Sequence, residues 1–279
     1  MYWRARTAAV IMLAIGLAGS ARAAVTWSGD ILPNDPALWT SATEAYVGKS
    51  SPTASLTVDG GSDIVSGLTN IARYYIANAD ATVSGLGSTW TTGTLYVGNN
   101  GYGTLDIIAG GVVSSAAGDI GHVGSGPDRV STVTVDGQGS RWANLGNLMV
   151  GYGGNSVLNI FDGGMVTVGG TLTIDYNQYG DDNFVRMTSG GMIALSDSEW
   201  MPGDDLADFL ALVSGAGPIQ YWDGAGWANI TEATYGVDYT LVHAGSGDLA
   251  DYTILTVPEP ATLSLLIGGA LAGLRRRRQ

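Results

Sequence analysis

Cysteine is absent from the 279 residues, and charged residues make up only 13% of them. The lack of cysteine excludes a disulfide framework, a thiol nucleophile and a cysteine-based metal site. Histidine occurs only as His122 and His243, which are too far apart to form a ligand-spaced pair. Glycine-rich turns such as Gly124-Ser125-Gly126-Pro127 are not followed by Lys-Ser or Lys-Thr and a helix, which argues against a phosphate-binding loop. The sequence therefore predicts no catalytic residue, no cofactor and no metal.

Basic residues are also scarce, and most of them lie at the two ends of the chain. Residues 24–257 contain five basic and 24 acidic residues, a net charge of −19, compared with −13 for the whole chain. A surface of this sign repels phosphate backbones, so a nucleic-acid partner is not expected. The simplest role of the acidity is to keep the protein soluble.

Glycine, in contrast, is abundant, with 43 residues, and hydrophobic residues make up 45% of the chain. There is no Gly-X-Y period, which excludes collagen, and the apolar content argues against disorder. Many glycines between short apolar runs indicate tight turns between short strands.

One stretch of the sequence occurs twice. Gly87-Ser88-Thr89-Trp90 and Gly139-Ser140-Arg141-Trp142 lie 52 residues apart, and Tyr96-Val97-Gly98 and Met149-Val150-Gly151 lie 53 apart. A looser copy begins at Tyr46-Val47-Gly48, about 50 residues earlier. A fixed period of this length is typical of repeat architectures.

The long period divides roughly in half, because Ile120-Gly121-His122-Val123-Gly124 resembles the Tyr-Val-Gly element. In Leu105-Asp106-Ile107 apolar and polar residues alternate, as in a half-buried strand. Such short strands must stack on their neighbours to bury their apolar face. We therefore predict an all-β fold, a right-handed parallel β-helix with about two coils per long repeat. A β-propeller is the main alternative, since its blades have a similar period.

The organisation expected around this solenoid has five parts. Residues 1–23 form a signal peptide, residues 24–45 an N-terminal cap, residues 46–195 the β-helix repeats, residues 196–256 a small C-terminal α+β cap, and residues 257–279 a hydrophobic terminal segment. In the C-terminal cap, Leu206 to Val213 has helical periodicity, with Asp204 or Asp205 as its N-cap.

The N-terminal segment has the three parts of a secretory signal. Arg4 and Arg6 precede an apolar run, and Ala21 and Ala23 provide the small-x-small pattern of a cleavage site. We expect cleavage after Ala23. The alternative is an uncleaved N-terminal anchor.

The repeat pattern GSTW…LYVGNNGYGTLDIIAGG resembles the passenger repeats of adhesins and autotransporters. The resemblance covers about residues 83–170 well and residues 46–82 loosely, and it implies a β-helix on the cell surface. It does not imply self-transport, because no run of amphipathic membrane strands follows the repeats.

The end of the chain resembles the PEP-CTERM sorting signal. Val257, Pro258, Glu259 and Pro260 are followed by a short apolar segment and then by four arginines, namely Arg275, Arg276, Arg277 and Arg278. The resemblance implies an exosortase as processing partner and a Gram-negative host that makes an extracellular polysaccharide. It also implies export through the inner membrane, transient membrane anchoring and a final place on the cell surface or outside the cell.

The length of the apolar segment agrees with a temporary anchor. Its 14 residues span about 21 Å as a helix, less than the roughly 30 Å of a bilayer core. A plain tail anchor that is retained is the alternative.

Aromatic residues provide the one hint of a binding site. Five of them recur with the repeat and could form a ladder for stacking on glycans: Trp90, Tyr96, Tyr102, Trp142 and Tyr152. Stacked aromatics can equally fill a solenoid without any ligand. The sequence thus favours a non-enzymatic surface or extracellular-matrix protein. A carbohydrate-binding adhesin is the second hypothesis, and a polysaccharide lyase or hydrolase is the third.

Overall fold

A computed structural model describes residues 24–123, 130–177, 183–197 and 205–258. Of the described residues, 55% lie in β-strands, and they fold into a β-solenoid of about six turns. The predicted signal peptide with Ala21 and Ala23 lies outside the described residues, as do Glu259, Pro260 and the four terminal arginines.

The described part contains 22 strands and one α-helix. In chain order they are β1 (Ala24–Gly29), β2 (Ile31–Leu32), β3 (Glu44–Val47), β4 (Ala54–Asp59), β5 (Asp63–Ile71), β6 (Asn78–Ser84), β7 (Thr89–Val97), β8 (Tyr102–Ile108), β9 (Val112–Ile120), β10 (Val130–Asp136), β11 (Arg141–Asn144), β12 (Leu148–Val150), β13 (Asn155–Phe161), β14 (Met165–Val168), β15 (Leu172–Ile174), β16 (Asn183–Met187), β17 (Met192–Ser196), α1 (Leu206–Ala211), β18 (Val213–Gly215), β19 (Ile219–Trp222), β20 (Trp227–Asn229), β21 (Thr240–Ala244) and β22 (Tyr252–Thr256). Short 3-10 turns occur at Pro36–Leu38 and Ile230–Glu232.

Successive coils contribute strands to two sheets in turn. The nine-stranded sheet has the order β1-β4-β6-β8-β10-β13-β16-β19-β20. The thirteen-stranded sheet runs β2-β3-β5-β7-β9-β11-β14-β17-β22-β21, and β12, β15 and β18 continue its later coils beside that path. Pairing is parallel between coils and antiparallel only at the two ends, where β1, β2, β20, β21 and β22 lie.

The register between coils explains the repeat in the sequence. One inward column of the nine-stranded sheet consists of Leu56, Ala81, Leu105, Val133 and Leu158, which pair in succession. Consecutive members lie 24 to 28 residues apart, so the period of about 52 residues corresponds to two coils. Each strand pairs with its equivalent in the next coil, which confirms the predicted parallel β-helix and excludes a propeller.

The core is a stack of equivalent apolar side chains between the sheets. One column of the larger sheet is fully buried in every coil: Val47, Ile71, Val97, Ile120, Val150 and Ile174. In β4 the burial alternates residue by residue, as the two-residue period of a strand requires. Because every coil buries the face of its neighbour, strands of three to nine residues are sufficient.

The predicted helix is present but ends earlier than the sequence indicated. The Asp205 carboxylate accepts a hydrogen bond from the Ala207 amide at 3.0 Å and caps α1, and Phe209 anchors the helix in the core. The helix does not extend to Val213, because Val213 pairs with Leu172 as the first residue of β18. Across residues 24–258, apart from the three undescribed gaps, no helix has the length and apolarity needed to span a membrane.

Candidate functional site

One corner of the solenoid carries a continuous row of side chains. At this corner, each strand of the larger sheet ends in a buried residue, then a residue with positive φ, and then an outward residue. The positive-φ residues are Gly48, Ala72, Gly98, Gly121, Gly151 and Asp175. Backbone hydrogen bonds continue through the corner, for example from the Gly121 amide to the Val97 carbonyl at 2.9 Å. Outward residues of successive coils are therefore held in register.

Gly121 shows why this corner needs glycine in most coils. Its φ of 68° lies in the left-handed region, which glycine adopts without steric cost. A Cβ atom here would also lie 2.0 Å from the Ser156 hydroxyl oxygen of the next coil. The corner is thus fixed both by backbone conformation and by the close approach of the following coil.

Rings from four successive coils form a stack, which we call the aromatic row: Tyr96, which lies just before this corner in β7, and the corner residues His122, Tyr152 and Tyr176. The centroids of neighbouring rings lie 5.0, 5.0 and 5.2 Å apart. For the three corner residues these distances match the roughly 4.8 Å spacing of paired strands, so their stacking follows from the register.

The row presents mostly ring edges to solvent. The rings of Tyr152 and Tyr176 are nearly parallel, at 12°, as are those of His122 and Tyr152, at 15°. Their contacting faces are therefore unavailable to a ligand, and only the end rings retain a free face. Tyr176 ends the row and is 54% exposed.

A half-open groove of about 220 Å³ lies beside the first ring of the row, and we call it the corner groove. Its lining residues are Glu44, Leu68, Asn70, Arg73, Tyr96, Asn99 and His122. The Asn99 amide donates to the Asn70 amide oxygen at 2.7 Å, and both side chains are buried. The imidazole of His122 contacts the carboxylate of Asp119, which orients the ring. The groove thus combines an aromatic ring with fixed hydrogen-bonding groups of both kinds.

One ionisable group beside the groove has a clearly shifted pKa. The Tyr46 hydroxyl donates to the Glu44 carboxylate, and this bond, together with burial, raises the pKa of Tyr46 to about 12. The phenol therefore stays neutral and acts as a donor, which holds the Glu44 carboxylate in place. Lys49 lies over the ring of the same tyrosine, 4.5 Å from its centroid.

The prediction that Trp90 and Trp142 stack on a glycan is wrong. Trp90 is 1% exposed and Trp142 is fully buried. Their indole N–H groups donate to the Ser66 and Ser115 hydroxyls of the preceding coils, each at 3.0 Å. Because their rings fill the space between the sheets, no external ligand reaches them.

The remaining aromatic candidates separate into two places. Tyr96 and Tyr152 belong to the aromatic row. Tyr102 instead opens β8 in the nine-stranded sheet and makes no ring contact with the row. Whether Tyr96, Tyr102 or Tyr152 binds a glycan remains a prediction.

Sequence reasoning missed His122 and Tyr176 as members of the row. The available signal was an apolar residue, a turn residue and then a ring: Ile120-Gly121-His122, Val150-Gly151-Tyr152 and Ile174-Asp175-Tyr176. It was missed because the corner tolerates Asp175 at positive φ as well as glycine. Arg73 and Asn99 share this corner position in earlier coils and were missed for the same reason.

The described residues offer no group of three or more His, Asp or Glu side chains arranged around a metal ion. The corner can bind through stacking, hydrogen bonds and single charges. Fold and site together define a β-solenoid with a corner that carries polar and aromatic side chains.

Comparison with known proteins agrees with this class. Residues 256–279 match the PEP-CTERM protein-sorting motif. A segment of 108 residues is 35% identical to the adhesin BmaC autotransporter of Brucella suis biovar 1 (strain 1330). That segment covers 38% of this chain and 3% of the adhesin. No solved structure matches the chain. The sorting motif and the similarity to an adhesin indicate an exported, cell-surface protein of a Gram-negative bacterium.

Proposed function

We propose that this chain is a non-enzymatic surface or extracellular-matrix protein that an exosortase-type enzyme processes at its C-terminal signal. The observation that supports this most directly is the position of the sorting motif. The Gly190 amide donates to the Val257 carbonyl at 2.6 Å, and the Val257 amide donates to the Gly191 carbonyl at 3.1 Å. The folded solenoid thus extends to the residue that precedes Pro258, and a cut beyond it leaves every described strand in place.

The test compares Gram-negative cells with and without an exosortase, each expressing the full chain. With the enzyme we expect a product that lacks the C-terminal segment by mass spectrometry and that external protease can reach on intact cells. Without it, the segment should remain and the protein should stay in the membrane fraction. Identical products in both strains would contradict the proposal.

A matched pair of variants separates the signal from general effects on folding. Glu259→Ala alters the sorting motif, whereas Glu232→Ala alters an exposed glutamate of the C-terminal part. We expect the first variant to accumulate unprocessed protein and the second to behave as the wild type.

A separate experiment tests the proposal that the protein is not an enzyme: the protein is incubated with the polysaccharide of its host. New chain ends would show that it is an enzyme.

The corner groove favours a second candidate function, binding of carbohydrate at the cell surface. Its buried Asn70–Asn99 pair and the guanidinium of Arg73 provide fixed polar groups beside the half-buried ring of Tyr96. This combination of an apolar ring and a few oriented polar groups is typical of small-ligand sites. Exported adhesins would use such a site to attach cells to a glycan.

A glycan array probed with the full chain tests this second candidate. We expect Tyr96→Ala to remove any signal, while Tyr102→Ala, on a tyrosine outside the aromatic row, leaves it unchanged. Both variants should retain the thermal melting profile of the wild type, because both side chains are only half-buried. An array signal that survives Tyr96→Ala would exclude the corner groove as the site.

A further inference from the structure

A second groove, of about 370 Å³, lies on the outer face of the nine-stranded sheet, and we call it the sheet groove. Its lining residues are Val130, Thr132, Val157, Asn159, Phe184 and Arg186. They occupy outward positions on β10, β13 and β16. Thr132, Val157 and Phe184 pair in one column, Asn159 and Arg186 pair in the next, and Val130 lies two residues before Thr132 on β10. Three parallel strands make the groove roughly 10 Å long across the sheet.

Arg186 is held rigidly at one end of this groove. Its ε nitrogen donates to the Gln220 amide oxygen at 3.0 Å. The guanidinium lies 4.8 Å from the ring centroid of Phe184 and 5.1 Å from that of Trp227. Cation–π contacts of this kind fix the plane of the guanidinium and reduce the entropy lost when a ligand binds it.

No carboxylate neutralises this arginine within the described residues. Among these residues no Asp or Glu oxygen lies within ion-pair distance of its guanidinium, although acidic residues greatly outnumber basic ones. The hydrogen bond to Gln220 uses the ε nitrogen, so the two terminal nitrogens keep their donors. Two such parallel donors match the two oxygens of a carboxylate.

The rest of the groove matches a ring rather than an extended peptide. Val130, Val157 and Phe184 supply an apolar surface, and Thr132 and Asn159 supply groups that form hydrogen bonds with hydroxyls. A peptide would normally bind by adding a strand to a free sheet edge. β10, β13 and β16 are each paired on both sides, so no backbone group in the groove is free for such pairing.

We propose that the sheet groove binds a sugar ring that carries a carboxylate, a uronic acid unit, with the carboxylate on Arg186 and the ring over Val157 and Phe184. The Thr132 hydroxyl and the Asn159 amide bond its hydroxyl groups. This assignment concerns a different surface from the corner groove and does not depend on it.

Within its own column of the sheet, Arg186 is well separated from acidic side chains. The nearest acidic residue in the column of Arg186 is Asp106, which is separated from it by Thr134 and Asn159. Three strand spacings place the two residues about 14 Å apart. This exceeds the Debye length of about 8 Å at physiological salt, so repulsion from Asp106 is largely screened. The bidentate contact with Arg186 remains short and unscreened.

The test measures binding of two probes to the full chain in detergent by calorimetry. One probe is trigalacturonic acid, and the other is the same trisaccharide with its carboxyl groups reduced to alcohols. We expect the acid to bind at least tenfold more tightly. Arg186→Gln should abolish that difference, and Arg186→Lys should reduce it, because lysine keeps the charge but lacks the fork. Lys49→Gln, which removes a basic residue that lines neither groove, should leave it unchanged.

Several results would overturn the proposal: equal binding of the two probes, a tenfold preference that survives Arg186→Gln, or no binding of the acid at millimolar concentration. Triglutamate serves as the peptide probe, and if it bound as tightly as the sugar acid, the ligand would be an acidic peptide instead. Circular dichroism of each variant confirms that the solenoid is intact. These binding measurements use the full chain and do not involve exosortase. They can therefore be interpreted even if the proposed processing does not occur.

Discussion

The pairing of Trp142 with Gly118 offers a sharp test of how the core is packed. The indole of Trp142 occupies the space above Gly118, in the adjacent coil. A Cβ atom at position 118 would lie 2.6 Å from Cζ2 of Trp142 and 2.8 Å from Cδ1 of Leu148. The equivalent position in the preceding coil is Leu95, so glycine replaces a large side chain where the tryptophan needs room. We predict that positions 118 and 142 are energetically coupled.

Three variants measure the coupling. Gly118→Ala overpacks the core and should cost roughly 1–3 kcal/mol. Trp142→Phe loses the hydrogen bond to Ser115 and the outer part of the indole, which should cost roughly 2 kcal/mol. In the double variant the new methyl group occupies space that the smaller ring has vacated. The total cost should therefore be roughly 1–2 kcal/mol less than the sum, with Leu148 limiting the recovery.

Peptide-resolved amide hydrogen exchange on the full chain is the suitable assay, because a solenoid can open locally and its unfolding need not be two-state. Protection should fall around β9, β11 and β12 in each single variant and recover in part in the double variant. Trp90→Phe is the matched control, since it removes an equivalent indole bond, to Ser66, without touching Gly118. Strict additivity for Gly118→Ala with Trp142→Phe would refute the reasoning.

Two further predictions concern the corner and the acidic face. Gly121→Ala should destabilise the protein by at least about 2 kcal/mol in chemical denaturation, because of its φ and its contact with Ser156; Gly226→Ala, which meets no atom within 4 Å, should change stability by less than about 0.5 kcal/mol. Burial, together with the negative charges of Asp80 and Asp136, raises the pKa of Asp106. The folded state therefore favours the neutral carboxylic acid, and this contribution to stability is lost as the pH rises through the folded-state pKa. Asp106→Asn should therefore raise the melting temperature at pH 7 but not at pH 3, and an equal change at both pH values would contradict this interpretation.

The architecture was accessible from the sequence because three local signals agree. Glycines mark the corners, apolar residues alternate in the strands, and the half-period gives the length of one coil. In a solenoid each strand pairs with its equivalent one coil away, so a repeated sequence implies a repeated register. The C-terminal helix was also predicted, with Asp204 or Asp205 as its cap; the cap is Asp205, and the end of the helix was placed too late.

The burial of the two tryptophans was harder to anticipate. Large aromatics recurring on short strands fit a surface ladder as well as a core. What decides the matter is the register: Trp90 pairs with Ile64 and Val113, and Trp142 pairs with Val113 and Val166. All of these partners are apolar and buried. The column is therefore an inward one, which becomes evident only when every coil is aligned.

The sheet groove was beyond the reach of sequence patterns for a different reason. Arg186 and Phe184 lie in the most degenerate repeat, and Trp227 comes from a hairpin more than 40 residues later. Their contact depends on where β20 folds back against β19 after the insertion that contains α1. The repeat period of the sequence contains no information on where β20 lies.

The last strand links the fold to the sorting signal. A parallel solenoid ends in a row of unpaired backbone groups, which invites pairing with other chains. Here β22 runs antiparallel along β17 and is itself covered by β21, so the edge of β17 is closed. β22 ends at Thr256, where the matched motif begins. A cut that removed even the five residues of β22 would uncover that edge, whereas a cut at or beyond Pro258 would not. The proposed processing is therefore compatible with a closed edge only if the cut falls at or beyond Pro258.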